Sequence, residues 1–238
     1  EFKKDKKLLL RLTIIIGFSL FFGSALQQVA LLYTDVANAA FFTIFYVPLV
    51  PIIVFIFRKK KIHWSVWPSV CLCLIGGYLL TNFFDATVRL GDSLVILGAL
   101  FWSFHIIYTD IFIKKFNLPL TLGAAQTMIV ALLSFIVGLI YEEFILKNIL
   151  KEIIPILYAG VLSGGFAFVL QIYAQKNISP APAAIIFSLE GVFATIAAWI
   201  ILSQILEINN ILGCIFILCG VLISQLVPLI NQKKQNQT

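Results

Sequence analysis

Residues 26–49, LQQVALLYTDVANAAFFTIFYVPL, and residues 170–193, LQIYAQKNISPAPAAIIFSLEGVF, read as two copies of one unit. At an offset of 144 residues Leu26-Gln27 falls on Leu170-Gln171 and Ala30 on Ala174, while Ala37, Ala39 and Ala40 fall on Ala181, Ala183 and Ala184. The register continues without a gap: Ile52 and Ile56 meet Ile196 and Ile200, and Leu74 and Gly76 meet Leu218 and Gly220. Each copy ends one apolar run and begins the next, so the repeat carries span boundaries as well as residues.

The solvent of these runs is lipid. Of 238 residues 61% are hydrophobic and 12% charged, against about 45–50% and about 25% in soluble domains. Disorder, collagen and coiled coil fall to the same composition. Eight runs are predicted to cross the membrane as helices: 8–33, 36–57, 64–81, 92–113, 119–141, 153–175, 181–202 and 208–230. They do not alternate with period two, which argues against barrel strands. Asp35 can cap the second helix, Pro119 and Pro182 fall near helix starts where a missing N–H costs little, and Asn209-Asn210 opens the last. Pro48, Pro51 and Pro155 lie inside runs and read as kinks, which neighbouring helices can accommodate.

Lysine and arginine set the orientation. Fourteen (Lys3, Lys4, Lys6, Lys7, Arg11, Arg58, Lys59, Lys60, Lys61, Lys114, Lys115, Lys176, Lys233, Lys234) fall on one side and three (Arg89, Lys147, Lys151) on the other. Both termini are therefore expected in the cytoplasm. The net charge of +6 reads as a topology and lipid-surface signal, so no nucleic-acid partner is expected.

Helices 1 to 3 of this count repeat as helices 6 to 8. Five helices separate each from its copy, and five is odd, so the copies run in opposite directions. Inverted repeats of this kind are typical of secondary transporters. Residues 91–232 make a five-helix unit and residues 1–90 only three helices, with 233–238 a polar cytoplasmic tail. The register places counterparts of 92–113 and 119–141 before residue 1, so the expectation is a polytopic all-α membrane bundle with eight helices of a ten-helix, 5+5 inverted repeat.

Gln28 to Phe42 resembles the "GLxYTSAxNAAF" turn of EamA-type proteins in the drug/metabolite transporter superfamily. Residues 170–193 are similar to that family's "xQxxAxxxxSPxxAAxxxxLEPVFA", and Ala99-Leu-Phe-Trp102 to the start of its second half. The resemblance covers nearly the whole chain and is most specific from Ser179 to Phe193. It implies two inverted five-helix halves in a multi-pass protein of the bacterial inner membrane. It also implies alternating access around a midplane cavity and transport, commonly outward, of small organic metabolites such as amino acids or drugs. A homodimer is one assembly it allows. Gly191 stands where the family usually has Pro, which puts a kink near Glu190 in doubt.

Glu190 is the one carboxylate deep inside a predicted span. At that depth an acid costs roughly 2.5–3.5 kcal/mol on insertion scales and usually faces a cavity or partner. Its wheel face holds Ala183, Phe187, Gly191, Ala194 and Ala198, so it reads either as a substrate or proton site or as a structural acid bonded to a neighbouring helix. Gln171 and Gln175 share a face with Gly160-x-x-x-Gly164, and Gln171 repeats Gln27; substrate contact and interhelical hydrogen bonding are both open. Gly98, Trp102, His105 and Thr109 lie on one face of the fourth helix, suited to an aromatic ligand or to plain packing. Gln126, Asn38 and Tyr46, the repeat mate of Glu190, are weaker candidates. Asp110 with Lys114 at i+4 reads as a surface ion pair, and His63 as solvated.

No metal or cofactor is expected: Cys71, Cys73, Cys214 and Cys219 lie in apolar runs without a second ligand pair. An intramembrane enzyme on a lipid-linked substrate would need paired acids, a phosphate-binding Arg or a ligand cluster. A non-catalytic scaffold would leave the repeat unexplained. Neither reading fits as well as a carrier that performs no covalent chemistry.

The charge partition makes a topological prediction. Single cysteines at Thr34, Thr87 and Ile145 should react with an impermeant thiol reagent from outside, and cysteines at Lys60, Phe116 and Gln235 only from inside. Reversed labelling at Lys60 and Ile145 together contradicts the orientation.

Overall fold

A chain in lipid has only itself to hydrogen-bond, and this one answers with helices throughout. The structure, a computed structural model, describes residues 2–81, 89–203 and 205–235. Its elements are α1 (Phe2–Ala30), α2 (Val36–Thr43), α3 (Tyr46–Arg58), α4 (Val66–Leu80), α5 (Leu90–Phe116), α6 (Pro119–Tyr141), α7 (Leu146–Lys151) and α8 (Ile153–Leu157). A π-helix (Tyr158–Ala167), α9 (Phe168–Ala174), α10 (Pro180–Phe187), α11 (Leu189–Leu202) and α12 (Ile208–Gln235) follow. Thr87, the tail beyond Gln235 and the side chains of Lys3, Lys4, Lys233 and Lys234 lie outside the described residues.

Among the described residues seven helical stretches are long and apolar enough to cross a membrane. The eighth expected span, 64–81, is the shorter α4. Its 15 residues reach about 22 Å at 1.5 Å per residue, against a hydrocarbon core of ~30 Å. A turn delays its start: the Ser65 N–H donates to His63 Nδ1 at 3.3 Å, and Ser65 Oγ lies 2.8 Å from the same nitrogen. His63 is therefore not simply solvated; its Nε2 also lies 3.4 Å from Asn231 Nδ2.

Three other local expectations change. Asp35 occupies the N-cap of α2 but makes no capping hydrogen bond, because its carboxylate pairs with the Arg89 guanidinium at 2.8 Å. Pro155 sits in the first turn of α8, where no N–H is needed, so it starts a span instead of kinking one. The distortion comes afterwards, as the π-helix that carries Gly160, Gly164 and Gly165. Asp110 does pair with Lys114, but its side chain is only 1% exposed, so the pair has one buried member.

The 144-residue repeat is written into the backbone. Val36–Thr43 and Pro180–Phe187 are both eight-residue helices at that offset. Their N-caps, Asp35 (φ −75°, ψ 150°) and Ser179 (φ −76°, ψ 158°), match. The following helices end on left-handed residues at the same register, Lys59 at φ 50° and Ser203 at φ 52°. Further upstream, Ala30 and Ala174 close α1 and α9.

The contacts form two compact units. The first, Glu1–Phe22 with Ile107–Ile178, is built around Leu12, Ile16, Phe112, Ile113, Leu122 and Ile172. Lys115 reaches Asp5 at 3.1 Å within it. The second, Gly23–Ile106 with Ser179–Thr238, has Ala30, Ala39, Phe42 and Val95 at one centre. There Asp92, fully buried, accepts from Thr34 Oγ1 at 2.5 Å and from the Arg89 N–H at 2.7 Å. The end of α1 is thus tied to the start of α5.

The second unit also holds the tightly packed pair α4 and α12. A Cβ at Gly76 of α4 would stand 2.7 Å from the Gly213 carbonyl oxygen and 2.7 Å from Ile217. A Cβ at Gly220 of α12 would stand 2.9 Å from the Ser69 carbonyl oxygen and 3.0 Å from Cys73 Sγ. Ser69, Cys73 and Gly76 are the repeat mates of Gly213, Ile217 and Gly220. The two contacts are one contact seen from both sides, as across a twofold axis, and they require α4 and α12 to run antiparallel. An antiparallel run of α4 and α12 is what the parity of the repeat predicts.

This packing gives a paired test. Gly76→Ala should destabilise the protein by about 1–3 kcal/mol, the usual cost of overpacking. Gly160→Ala, where nothing lies within 4 Å of the added carbon, should leave the melting temperature in detergent unchanged or raised. The opposite ranking contradicts the α4–α12 contact.

Candidate functional site

Two helix interruptions shape the site, and both have local causes. Pro48 has no N–H, so the Ile44 carbonyl loses its usual partner four residues on. It accepts instead from the Val47 N–H at 2.8 Å, a tighter 3₁₀-type turn that separates α2 from α3. At the repeat-matched position the Ser188 carbonyl accepts from the Gly191 N–H at 3.2 Å. No proline stands there. Ser188 Oγ donates back to the Ile185 carbonyl at 2.6 Å, the kind of side-chain back-bonding that bends helices. A break in the helix near Glu190, the local geometry that Gly191 put in doubt, is therefore present without a proline.

A cavity of about 230 Å³ lies where the interruptions occur. It is lined by Gln27 of α1, Ala40 and Thr43 of α2, Ile44, Tyr46 of α3, Leu80 at the end of α4, Thr81 after it, Ser188, and Glu190, Gly191, Ala194 and Thr195 of α11. All belong to the second unit. Thr43, Thr81 and Thr195 donate their hydroxyl protons to the carbonyls of Ala39, Gly77 and Gly191 at 2.7, 3.0 and 2.8 Å. Ser188 Oγ lies 3.4 Å from Cys73 Sγ, so α4 backs the second interruption.

Of the residues singled out in the sequence, Glu190, Tyr46 and Gln27 meet at this cavity. Tyr46 is buried and Glu190 accessible. Trp102 does not line it: its indole packs on Gly23 of α1, where an added Cβ would stand 3.2 Å away, and it meets the fully buried His105 edge-on at 6.0 Å. Asn38 is buried on α2 with its amide nitrogen unbonded among the described residues. Gln126, Gln175 and the half-buried Gln171 belong to the first unit, where Gln126 and Gln175 are fully enclosed. The four serine and threonine residues of the cavity, Thr43, Thr81, Ser188 and Thr195, are not among those candidates. Their signal was the register itself, since Thr43 directly precedes the first interruption and Ser188 occupies the second.

Residues 89–226 match the family model described as the EamA-like transporter family. An uncharacterized transporter of Archaeoglobus fulgidus is 30% identical over 217 residues, covering 89% of this chain and 67% of the relative. One of Clostridium kluyveri is 27% identical over 84% of this chain and 67% of its own length. The chain thus spans about two thirds of these relatives. A solved crystal structure superposes with a TM-score of 0.79 at 14% identity, over 92% of this chain and 77% of that one, a likeness of fold. A family model matching more than half of the chain and a relative sharing this much of its sequence lead to one conclusion: the chain belongs to the EamA-like transporter family, as a multi-pass membrane protein.

Proposed function

We propose that this chain forms the translocating body of a carrier that exports small organic metabolites by alternating access, with both termini cytoplasmic in a bacterial inner membrane. One observation carries the reading: a cavity with polar side chains set in an apolar lining lies at two helix interruptions that occupy the same register of an internal repeat. Each interruption has exchanged an α-helical bond for a tighter one, so each is a place where a span can flex without breaking further bonds. Matched hinges on inverted copies give two conformations in which the cavity faces opposite sides, the general logic of inverted-repeat carriers. In this reading Glu190, Tyr46 and Gln27 touch the substrate. Gln126, Gln171, Gln175, Trp102, His105 and Asn38 support or gate the path, and the work is binding and release with no covalent step.

The test is flux. Proteoliposomes carrying the protein translated from its complete reading frame, loaded with a panel of amino acids and other metabolites, should release at least one solute saturably. Tyr46→Ala should slow that release by about tenfold or more, the factor expected for ~1.4 kcal/mol of lost contact. Release equal to protein-free liposomes for every solute contradicts the carrier reading.

A further inference from the structure

The cavity's hydrogen-bonding character says what it can hold. Thr43, Thr81, Ser188 and Thr195 have already donated their single hydroxyl protons to carbonyls of their own helices, at 2.6 to 3.0 Å. A hydroxyl has one donor and two acceptor lone pairs, so what these four present to the cavity is oxygen acceptors. Glu190 adds a carboxylate, and among the described residues no Lys, Arg or His lines the space. Nor does Glu190 form an ion pair or side-chain hydrogen bond with any described residue. Apart from the Tyr46 hydroxyl and the Gln27 amide, the polar lining consists of acceptors around one acid.

A lone carboxylate in a low-dielectric span gains most from a ligand that brings the missing charge. An ammonium is the matching shape of charge: three donors and no acceptor, bonded to an ionised oxygen as a charge-assisted pair. The Tyr46 ring offers it a further favourable face. A carboxylate in the same place would meet acceptors and a like charge. The volume of about 230 Å³ lies below the ~300–1,000 Å³ of drug-sized pockets, which limits the apolar part of the ligand.

We propose that the cavity recognises a small organic monocation, a primary or secondary amine with a compact apolar body, and discriminates against carboxylates, zwitterionic amino acids included. The proposal deepens the carrier reading and rests on the cavity being the carrier's binding site.

Four probes of similar shape and different charge test it: 2-phenylethylamine, 2-phenylethanol, 3-phenylpropionate and phenylalanine. Their affinities are measured by calorimetry on the protein in lipid nanodiscs, and their flux in proteoliposomes. The amine should bind at least about tenfold more tightly than the alcohol, with the propionate and the amino acid weaker than both. Glu190→Gln should remove the amine's advantage over the alcohol, and a melting temperature in nanodiscs equal to that of the unsubstituted protein reports that the variant is folded. Propionate or phenylalanine binding as tightly as the amine overturns the proposal. So does an amine advantage that survives in Glu190→Gln, or no binding by any probe. Amine-selective binding without flux of any probe supports the proposal and counts against the carrier reading alone.

Discussion

Everything in this structure answers to one constraint: in hydrocarbon a backbone carbonyl must find its partner within the protein. Carbonyls in the middle of spans, among them the register-matched ones of Ile44 and Ser188, do not take the α-helical partner. Each of these two accepts from the residue three positions on, which keeps it satisfied while turning the chain. The interruptions survive in lipid because that substitution is available. The cavity is where they occur, since a continuous helix has no reason to part from its neighbours there.

The repeat gives the backbone its symmetry and leaves the chemistry asymmetric. The α2–α3 and α10–α11 segments share caps, lengths, interruption and left-handed ends, and α4 meets α12 through a self-complementary glycine contact. Yet Tyr46 stands where the other copy has Glu190, and Thr43 where it has Phe187. A pseudo-twofold frame would place two equivalent groups in the cavity; divergence of the copies has made one of them an acid.

Much of this was legible in the sequence. Apolar runs place eight crossing helices, because lipid demands uninterrupted hydrophobic length; among the described residues seven are long and apolar enough, and the eighth is the shorter α4. The gapless register predicts the antiparallel α4–α12 relation, because parity is arithmetic. Tyr46, Glu190 and Gln27 could be named because a polar group in a span is costly. Other features were hidden because they depend on neighbours. Trp102 and His105 share a helical face with no mark in the sequence to say that α1 comes as close as Gly23 to cover it. The interruption at Ser188 survives the absent proline because a hydroxyl can bend a helix, a choice of rotamer that spacing does not reveal. Asp92 carries no mark in the sequence that sets it apart, yet burial and two short hydrogen bonds make it a tie between spans.

The matched interruptions are the central claim, and amide hydrogen exchange reads them directly. In nanodiscs the amides around Ile44–Pro48 and Ser188–Val192 should exchange faster than the turns on either side within the same spans, and at similar rates in the two copies. Uniform protection across both spans, or fast exchange in one copy with full protection in the other, would contradict the account.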